Sequence, residues 1–516
     1  MTGWMRLLIL FSLLRFAMYA ASPVCSVCHP QETARFLASR MGKSFGPPEP
    51  LPPGRVIYKP SGSVVIIQER NGRMVQRLSE HGLTAEYPIA YRIGSGARGR
   101  SFAVAVGNYL LEAPASWYRS HGWDASPGYE SLPLVDFDRP VTSSCLFCHA
   151  GNAKFADADG RRLANVNVTS ISCSRCHGPT ANHIHHPSAD NIVNPAHLSG
   201  AARDSICEQC HLEGTTRFLN PGKTLRDFHP GQPLENTLVT YMLRRSGQNR
   251  AAVNEEEELA ESKCARASGG RLWCGTCHNP HGPPVKDRQH RIRQICMSCH
   301  PTLSKAAHQK PPAECVSCHM PSRGTSDIAH VAVVDHRIRR PNEGAGVPYR
   351  GPDTVVAWRE PPAAFRQRDL GLAELRIGFD RHLPAMTSAG TMLLQTLPPR
   401  QQNNDPGVLS TLEAVYLGKM APDKAVELGR WAVDTAPQSA IFAMNFGLAL
   451  KRSGNLRESE RQFLRAIDLD PSLTNAYAEL AVLYDSEGRT SDAIKTIDRF
   501  LLWNPKNIQF RLARRP

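Results

Sequence analysis

The sequence predicts a mainly α chain in two parts: a domain organised by repeated Cys/His motifs, with a small β insert, and then an α-solenoid. Three observations predict it. Cys-x-x-Cys-His occurs seven times between residues 25 and 319. A run rich in strand formers separates the first copy from the second. After the last copy, Pro437, Pro471 and Pro505 recur at intervals of 34 residues.

The N-terminus carries Arg6 and then Leu-Leu-Ile-Leu-Phe-Ser-Leu-Leu, a basic start followed by an apolar run. This is the pattern of a secretory signal, and it predicts cleavage near Ala20 or Ala21, so that residues 1–21 are removed. The run is shorter than the roughly 20 residues that span a bilayer. The expected location is the periplasm or the cell exterior, with membrane contact but no integral span after cleavage.

The seven motifs are Cys25-Ser-Val-Cys28-His29, Cys145-Leu-Phe-Cys148-His149, Cys173-Ser-Arg-Cys176-His177, Cys207-Glu-Gln-Cys210-His211, Cys274-Gly-Thr-Cys277-His278, Cys296-Met-Ser-Cys299-His300 and Cys315-Val-Ser-Cys318-His319. Each reads as a c-type haem attachment site. The two thiols form thioethers to the vinyl groups, and the adjacent His is the proximal iron ligand. The expectation is seven covalently bound haem c groups. A zinc site or a redox dithiol is the competing reading for one copy, but not for seven that each end in His. Fourteen of the 15 Cys lie in these motifs, so the Cys are not a disulfide framework. Cys264 is left over, and burial is its simplest role. Covalent attachment also favours export, because c-type maturation takes place outside the cytoplasm.

The chain carries a formal charge of +14. Haem propionates offset such a charge, and no basic stripe interleaved with aromatics marks a nucleic-acid surface. The predicted domain runs over 22–340. One motif stands alone at Cys25, and six follow between Cys145 and His319, which forces the haems against one another. Within it, residues 54–112 read as the β insert. Asn71-Gly72 suits a two-residue hairpin turn between Val64–Arg70 and the strand after it, and Phe102–Leu111 reads as a second strand pair. Residues 341–362, rich in Arg, Pro and Gly, read as a linker.

Residues 363–516 read as tetratricopeptide repeats, whose period is 34 residues. Ala443, Phe446, Gly447, Leu450, Phe463 and Ala466 fill the motif positions of one unit, with Ser459 at a small-residue position. Tyr477, Leu480, Ala481, Tyr484, Ala493, Ile497 and Phe500 fill the next. Leu409, Leu412, Tyr416, Ala425 and Ala432 form a weaker first unit, with degenerate helices before it near 365–378 and 386–397. Such a helix pair cannot bury its apolar face alone, so the units stack. The array is expected to dock a redox partner protein, another cytochrome or a membrane redox complex, or else to pack on the haem domain.

Function turns on the second axial position of each iron, because a saturated iron only passes electrons. Of 20 His, 13 are not in motifs. Ten of these lie between residues 183 and 336: His183, His185, His186, His197, His229, His281, His290, His308, His330 and His336. His81, His121 and His382 lie elsewhere. For the first motif, Met41 is a candidate distal ligand, with an ordinary packed Met as the alternative.

Cys176-His177-Gly178-Pro179-x-x-x-His183 resembles an element of multihaem cytochromes related to pentahaem nitrite reductase and octahaem hydroxylamine oxidoreductase. Cys277-His278-Asn279-Pro280-His281, Cys318-His319-Met320-Pro321 and His330-x5-His336 are similar to that group too. The resemblance implies His183, His281, His308, His330 and His336 as distal ligands, with His185 or His186 as a further one. Those nitrite reductases carry a Lys in place of one motif His, whereas all seven motifs here end in His. The sequence therefore predicts an electron-transfer cytochrome with no assigned catalytic residue. A multihaem oxidoreductase of small nitrogen or sulfur species, acting at one open haem, is the alternative.

Overall fold

A computed structural model describes residues 23–168, 170–245, 253–282, 288–302, 315–325, 332–340 and 351–515. The signal segment, His308 and His330 lie outside these residues.

The N-terminal part is a sheet-rich, barrel-like domain, which corrects the expectation of a mainly helical, haem-packed domain with a small insert. Nine strands form the sheet: β1 (Phe45–Gly46), β2 (Gly54–Ile57), β3 (Val64–Arg70), β4 (Arg73–Glu80), β5 (Leu83–Ile93), β6 (Gly99–Val106), β7 (Tyr109–Glu112), β8 (Ala115–Tyr118) and β9 (Gly122–Ala125). The main path runs β2-β3-β4-β5-β6-β8-β9, with every pair antiparallel. β2 lies back against β9. The Trp123 indole donates to Pro52 O at 2.8 Å, and a Cβ on Gly54 would sit 2.2 Å from Trp123 Cδ1. Only glycine permits that approach.

The β3–β4 turn is Asn71-Gly72, with φ of 51° and 72°. Positive φ at both positions is what a type I′ turn requires. Along β3, Val65 and Ile67 point inward while Ile66 is exposed, the period-two pattern of a one-sided strand. Phe102, Tyr129 and Phe137 complete the same core.

A second sheet joins Thr216–Leu219, Leu238–Arg244 and Thr354–Ala357, all antiparallel. Its last strand lies within the segment that reads as a linker. The β-branched run Thr354-Val355-Val356 pairs with the buried central strand, and that pairing outweighs the Pro and Gly around it.

The C-terminal region is helical, as a tetratricopeptide solenoid requires. Helix pairs run Arg366–Asp380 with Pro384–Gln395, Pro406–Gly418 with Pro422–Thr435, Ala440–Arg452 with Leu456–Leu469, and Thr474–Ser486 with Thr490–Trp503. A short helix, Ile508–Ala513, ends the array. Ser459 is fully buried and its hydroxyl donates to Gly447 O at 2.7 Å, which ties the two helices of one unit.

The solenoid docks on the barrel side through one edge, at the starts of three successive units. Ser439, Leu473 and Asn507, each 34 residues after the last, precede the first helices of these units. At the first, Asp159 accepts from the Ser439 hydroxyl at 2.7 Å and from Ala440 N at 2.7 Å. Near the second, Arg161 donates to Asp470 at 2.5 Å and to the Ser472 hydroxyl at 3.0 Å. At the third, Asp136 accepts from Ile508 N at 2.6 Å and Gln509 N at 3.0 Å. Ile508, fully buried, belongs to the barrel core. Burial pushes the Asp136 carboxyl up to about 7, against the pull of the N–H groups of Gln509, Phe137 and Ile508. Among the described residues no helix is long and apolar enough to cross a membrane.

Candidate functional site

Each motif is little more than one turn of helix, and the turn explains the spacing. His29 N, His177 N, His278 N and His300 N each donate to the carbonyl of their first motif Cys, at 2.8–2.9 Å. Residues three apart share a helix face, so both thiols point to one side and the His follows them. The helices that carry them run from four residues, at Ser174–His177 and Cys274–Cys277, to twelve, at Gly200–His211 and Arg288–Cys299.

The motifs open onto a continuous cavity of about 2770 Å³ between the barrel and the helical segments. A pocket for one small ligand is typically about 300–1,000 Å³. All ten thiols of the first five motifs line it, with Val316 and Met320 of the last motif's segment. Its charged lining is seven arginines (Arg40, Arg98, Arg100, Arg119, Arg175, Arg217, Arg291) and four glutamates (Glu32, Glu213, Glu255, Glu256). Val24, Val27 and Ile184, exposed at 48%, 79% and 43%, lie on this lining. Large apolar side chains on the wall of such a cavity suit an apolar macrocycle.

Imidazoles face one another across the cavity in three pairs. His29 and His183 have ring centroids 6.3 Å apart with planes at 15°. His177 and His281 are at 5.7 Å and 11°. His278 and His336 are at 6.2 Å and 31°. Two imidazoles on opposite sides of one metal, each nitrogen about 2 Å from it, have centroids roughly 6 Å apart. In every pair one ring belongs to a motif and the other follows a different, later motif.

Backbone carbonyls set the tautomers. His177 Nδ1 lies 2.7 Å from Val193 O, and His336 Nδ1 lies 2.9 Å from Val334 O. His319 Nδ1 is 2.8 Å from Arg339 O, and His183 Nδ1 is 3.0 Å from Ser188 O and 2.9 Å from Asn191 Oδ1. A carbonyl only accepts, so Nδ1 must carry the proton, leaving the Nε2 lone pair free for a metal. Burial holds His149 and His281 below the usual imidazole range, which favours the neutral form. Glu255 Oε2 lies 3.7 Å from His211 Nδ1. Glu256 is buried beside the thiol of Cys274, which donates to it at 2.6 Å, and burial pushes this carboxyl up to about 7.

The other sequence candidates fall as follows. Met41 is half-buried on the cavity wall, while the ring that faces His29 is His183. His186 is exposed, and its carbonyl accepts from Asn191. His81 and His121 pair with Glu80 and Asp124 on exposed turns of the barrel. Cys264 is half-buried. The isolation of the first motif is a feature of the chain and not of the fold: the His29 ring faces that of His183, which follows the third motif. The carbonyls of Val193, Ser188, Val334 and Arg339, which orient the imidazoles, have no sequence signature.

The donor set fits haem c: paired thiols on one helix face, a following imidazole with Nε2 free, and a large arginine-bearing cavity. Residues 266–305 match a family model described as the doubled CXXCH motif. This supports covalent haem c binding at the motifs of Cys274 and Cys296. No curated protein is similar enough to count as a match. Among solved structures, similarity is found to MamA at 22% identity, covering 25% of this chain and 75% of that one, with a TM-score of 0.23. YrrB, described as a TPR protein with an unusual peptide-binding site, is similar at 17% identity, over 30% of this chain and 74% of that one, with a TM-score of 0.25. The first TPR of Spaghetti (RPAP3), bound to an HSP90 peptide, is similar at 21% identity, over 21% and 89%, with a TM-score of 0.20.

Proposed function

We propose that this chain is an exported seven-haem cytochrome c that transfers electrons through closely packed, mostly six-coordinate haems. The observation that carries the reading is the set of three opposed imidazole pairs at the spacing one iron requires. Haem c, when bound, supplies reversible one-electron chemistry at the iron.

The residues of the chain do the rest. His29, His177 and His278 serve as proximal ligands, and His183, His281 and His336 as their distal partners. The carbonyls on Nδ1 hold His177, His183, His319 and His336 in place and leave Nε2 of each without a proton. The arginines of the cavity wall pair with propionates. His149, His211, His300 and His319 are the remaining proximal ligands. The resemblance to the nitrite reductase and hydroxylamine oxidoreductase group keeps His308 and His330 as further distal candidates. The solenoid serves as a brace for the barrel, and its faces away from the docked edge are left for a redox partner.

A count of low-spin against high-spin haems in the oxidised holoprotein tests this. At least three low-spin, bis-imidazole haems are expected. An all-high-spin spectrum would overturn the assignment of the pairs. Stoichiometric binding of carbon monoxide to one haem of the reduced protein would favour the oxidoreductase reading over pure electron transfer.

A further inference from the structure

Four consecutive glutamates, Glu255 to Glu258, open the helix Glu255–Glu261. Such a run ordinarily lies in water, because glutamate is seldom fully buried unless it is paired. Here Glu256 and Glu258 are buried, and Glu258 completely. The groups that pair with Glu258 come from beyond the last motif. Its Oε1 accepts from Arg323 Nε, and its Oε2 accepts from the backbone N–H of His336 at 2.9 Å. Arg323 lies on the strand Ser322–Gly324, which follows the last motif. That strand pairs with Ala332–Val334, which leads into His336. One carboxylate therefore grips both strands of the pair that presents His336.

The helix that carries Glu258 is anchored elsewhere. Glu213 N donates to Val253 O at 2.9 Å, and Gly214 N donates to Asn254 Oδ1 at 2.8 Å, just after the fourth motif. The turn after His336 is closed on the last motif. Asp335, also fully buried, accepts from Arg337 N at 3.0 Å and from Arg339 Nη2 at 2.7 Å. Asp335 N donates to Pro321 O, and Arg339 N to His319 O, both at 3.0 Å. His336 thus stands where the fixed helix meets this turn, with its ring 6.2 Å from that of His278. The Val334 carbonyl on Nδ1 sets the rotation of the ring, and Glu258 sets where its backbone stands.

We propose that Glu258 is the positioning residue for His336, placing this imidazole opposite His278 through the hydrogen bond to its backbone N–H. The inference rests on the haem reading above, in which His336 is the distal partner of His278. Glu258 acts through His336 and does not reach the iron. A hydrogen bond to an ionised acceptor is roughly twice as strong as a neutral one, which suits a group that must hold a ligand in register. Arg323 balances the carboxylate, so that the buried charge is not left alone.

Spin-state counts on the holoprotein test the proposal. His336→Ala is the reference. It should convert one haem from low to high spin in magnetic circular dichroism, and add one equivalent of carbon monoxide binding to the reduced protein. Replacing Glu258 alone would strand the Arg323 charge in the interior, so two double variants are compared. Glu258→Met with Arg323→Met removes the ion pair and the acceptor together, and should reproduce the reference change. Glu258→Gln with Arg323→Met keeps one carbonyl oxygen for the His336 N–H, and should retain the low-spin haem. Equal low-spin counts in the two double variants would overturn the inference, because the hydrogen bond would then place nothing. Should either fail to mature, the crystal structure of the wild-type holoprotein decides. It must show Glu258 bonded to His336 N and His336 Nε2 bound to the iron of the His278 site; His336 bound there with its N–H bonded elsewhere would overturn the inference. An unchanged spin count in His336→Ala would overturn the ligand reading, and the inference with it. Intact mass of each sample counts the attached haems, so a failure of haem attachment is seen separately from a failure of placement.

Discussion

Truncating Ile508 to alanine should weaken the barrel, although Ile508 lies in the last short helix of the solenoid. Ile508 is fully buried and packs into the barrel core with Val65, Ile67, Leu78 and Phe137. Its neighbours fix it from two sides: Asp136 caps its backbone N–H, and the hydroxyl of Tyr87 bonds to Asn504. The surroundings therefore have little freedom to collapse into the space left behind. Ile→Ala at a site of this kind costs about 2–5 kcal/mol, the sum of lost transfer energy and a cavity. Leu502→Ala is the control, because Leu502 is 84% exposed in the last full unit. A surface change of that sort stays within about 0.5 kcal/mol. The assay is urea unfolding of the holoprotein, followed by far-ultraviolet circular dichroism at strand and helix wavelengths. Ile508→Ala should shift both signals together to lower urea. A loss below about 1 kcal/mol, or a shift in the helical signal alone, would refute the claim that solenoid and barrel share a core.

Four further outcomes follow from the same geometry. Asp136 titrates at about 7 in the fold against an ordinary 3.8, so the folded chain holds an extra proton between about pH 4 and 7, and stability from this group falls as pH rises through that window. Asp136→Asn removes that dependence, and its urea midpoint should gain on the wild type from pH 4 to 7; a constant difference across this range would contradict the burial argument. His183→Ala should convert one haem from low to high spin while Met41→Ala leaves the count unchanged, read by magnetic circular dichroism; the opposite pattern would make Met41 the ligand. Gly72→Val places a β-branched residue at φ 72° and should cost about 1–2 kcal/mol in the barrel, measured by the same urea titration. Deleting residues 363–516 uncovers the barrel core around Ile508 and should lower the stability of the N-terminal part; an unchanged unfolding midpoint would show that the solenoid braces nothing.

Patterns with a short physical cause were legible in the sequence. A Cys-x-x-Cys-His is one turn of helix wherever it occurs, so its local shape needs no tertiary information. The 34-residue spacing of Pro437, Pro471 and Pro505 likewise marks a unit that repeats by local packing, and Asn71-Gly72 marks its own turn. What was missed depends on partners distant in the chain. β8 and β9 are four residues each, too short to show a period, and they exist because β8 pairs with β6 and β9 with β8. Thr354–Ala357 becomes a strand because Leu238–Arg244 offers it a buried edge. Asp136, Asp159 and Arg161 are single charges in loops, and nothing near them in sequence says that helix starts some 280 to 370 residues later will meet them. The pairing of His29 with His183 was legible only in part. The surplus of His pointed to distal ligands, but the 115 residues between the first two motifs hid how near the first lies to the segment after the third.

The central claim is that every Cys-x-x-Cys-His in this chain carries a haem. Intact mass spectrometry of the mature, denatured protein measures this directly, since thioether-bound haem survives unfolding. The account predicts one species with seven haem additions and a single remaining free thiol, that of Cys264. A homogeneous product with fewer additions, or one whose motif thiols remain free to alkylation, would contradict it.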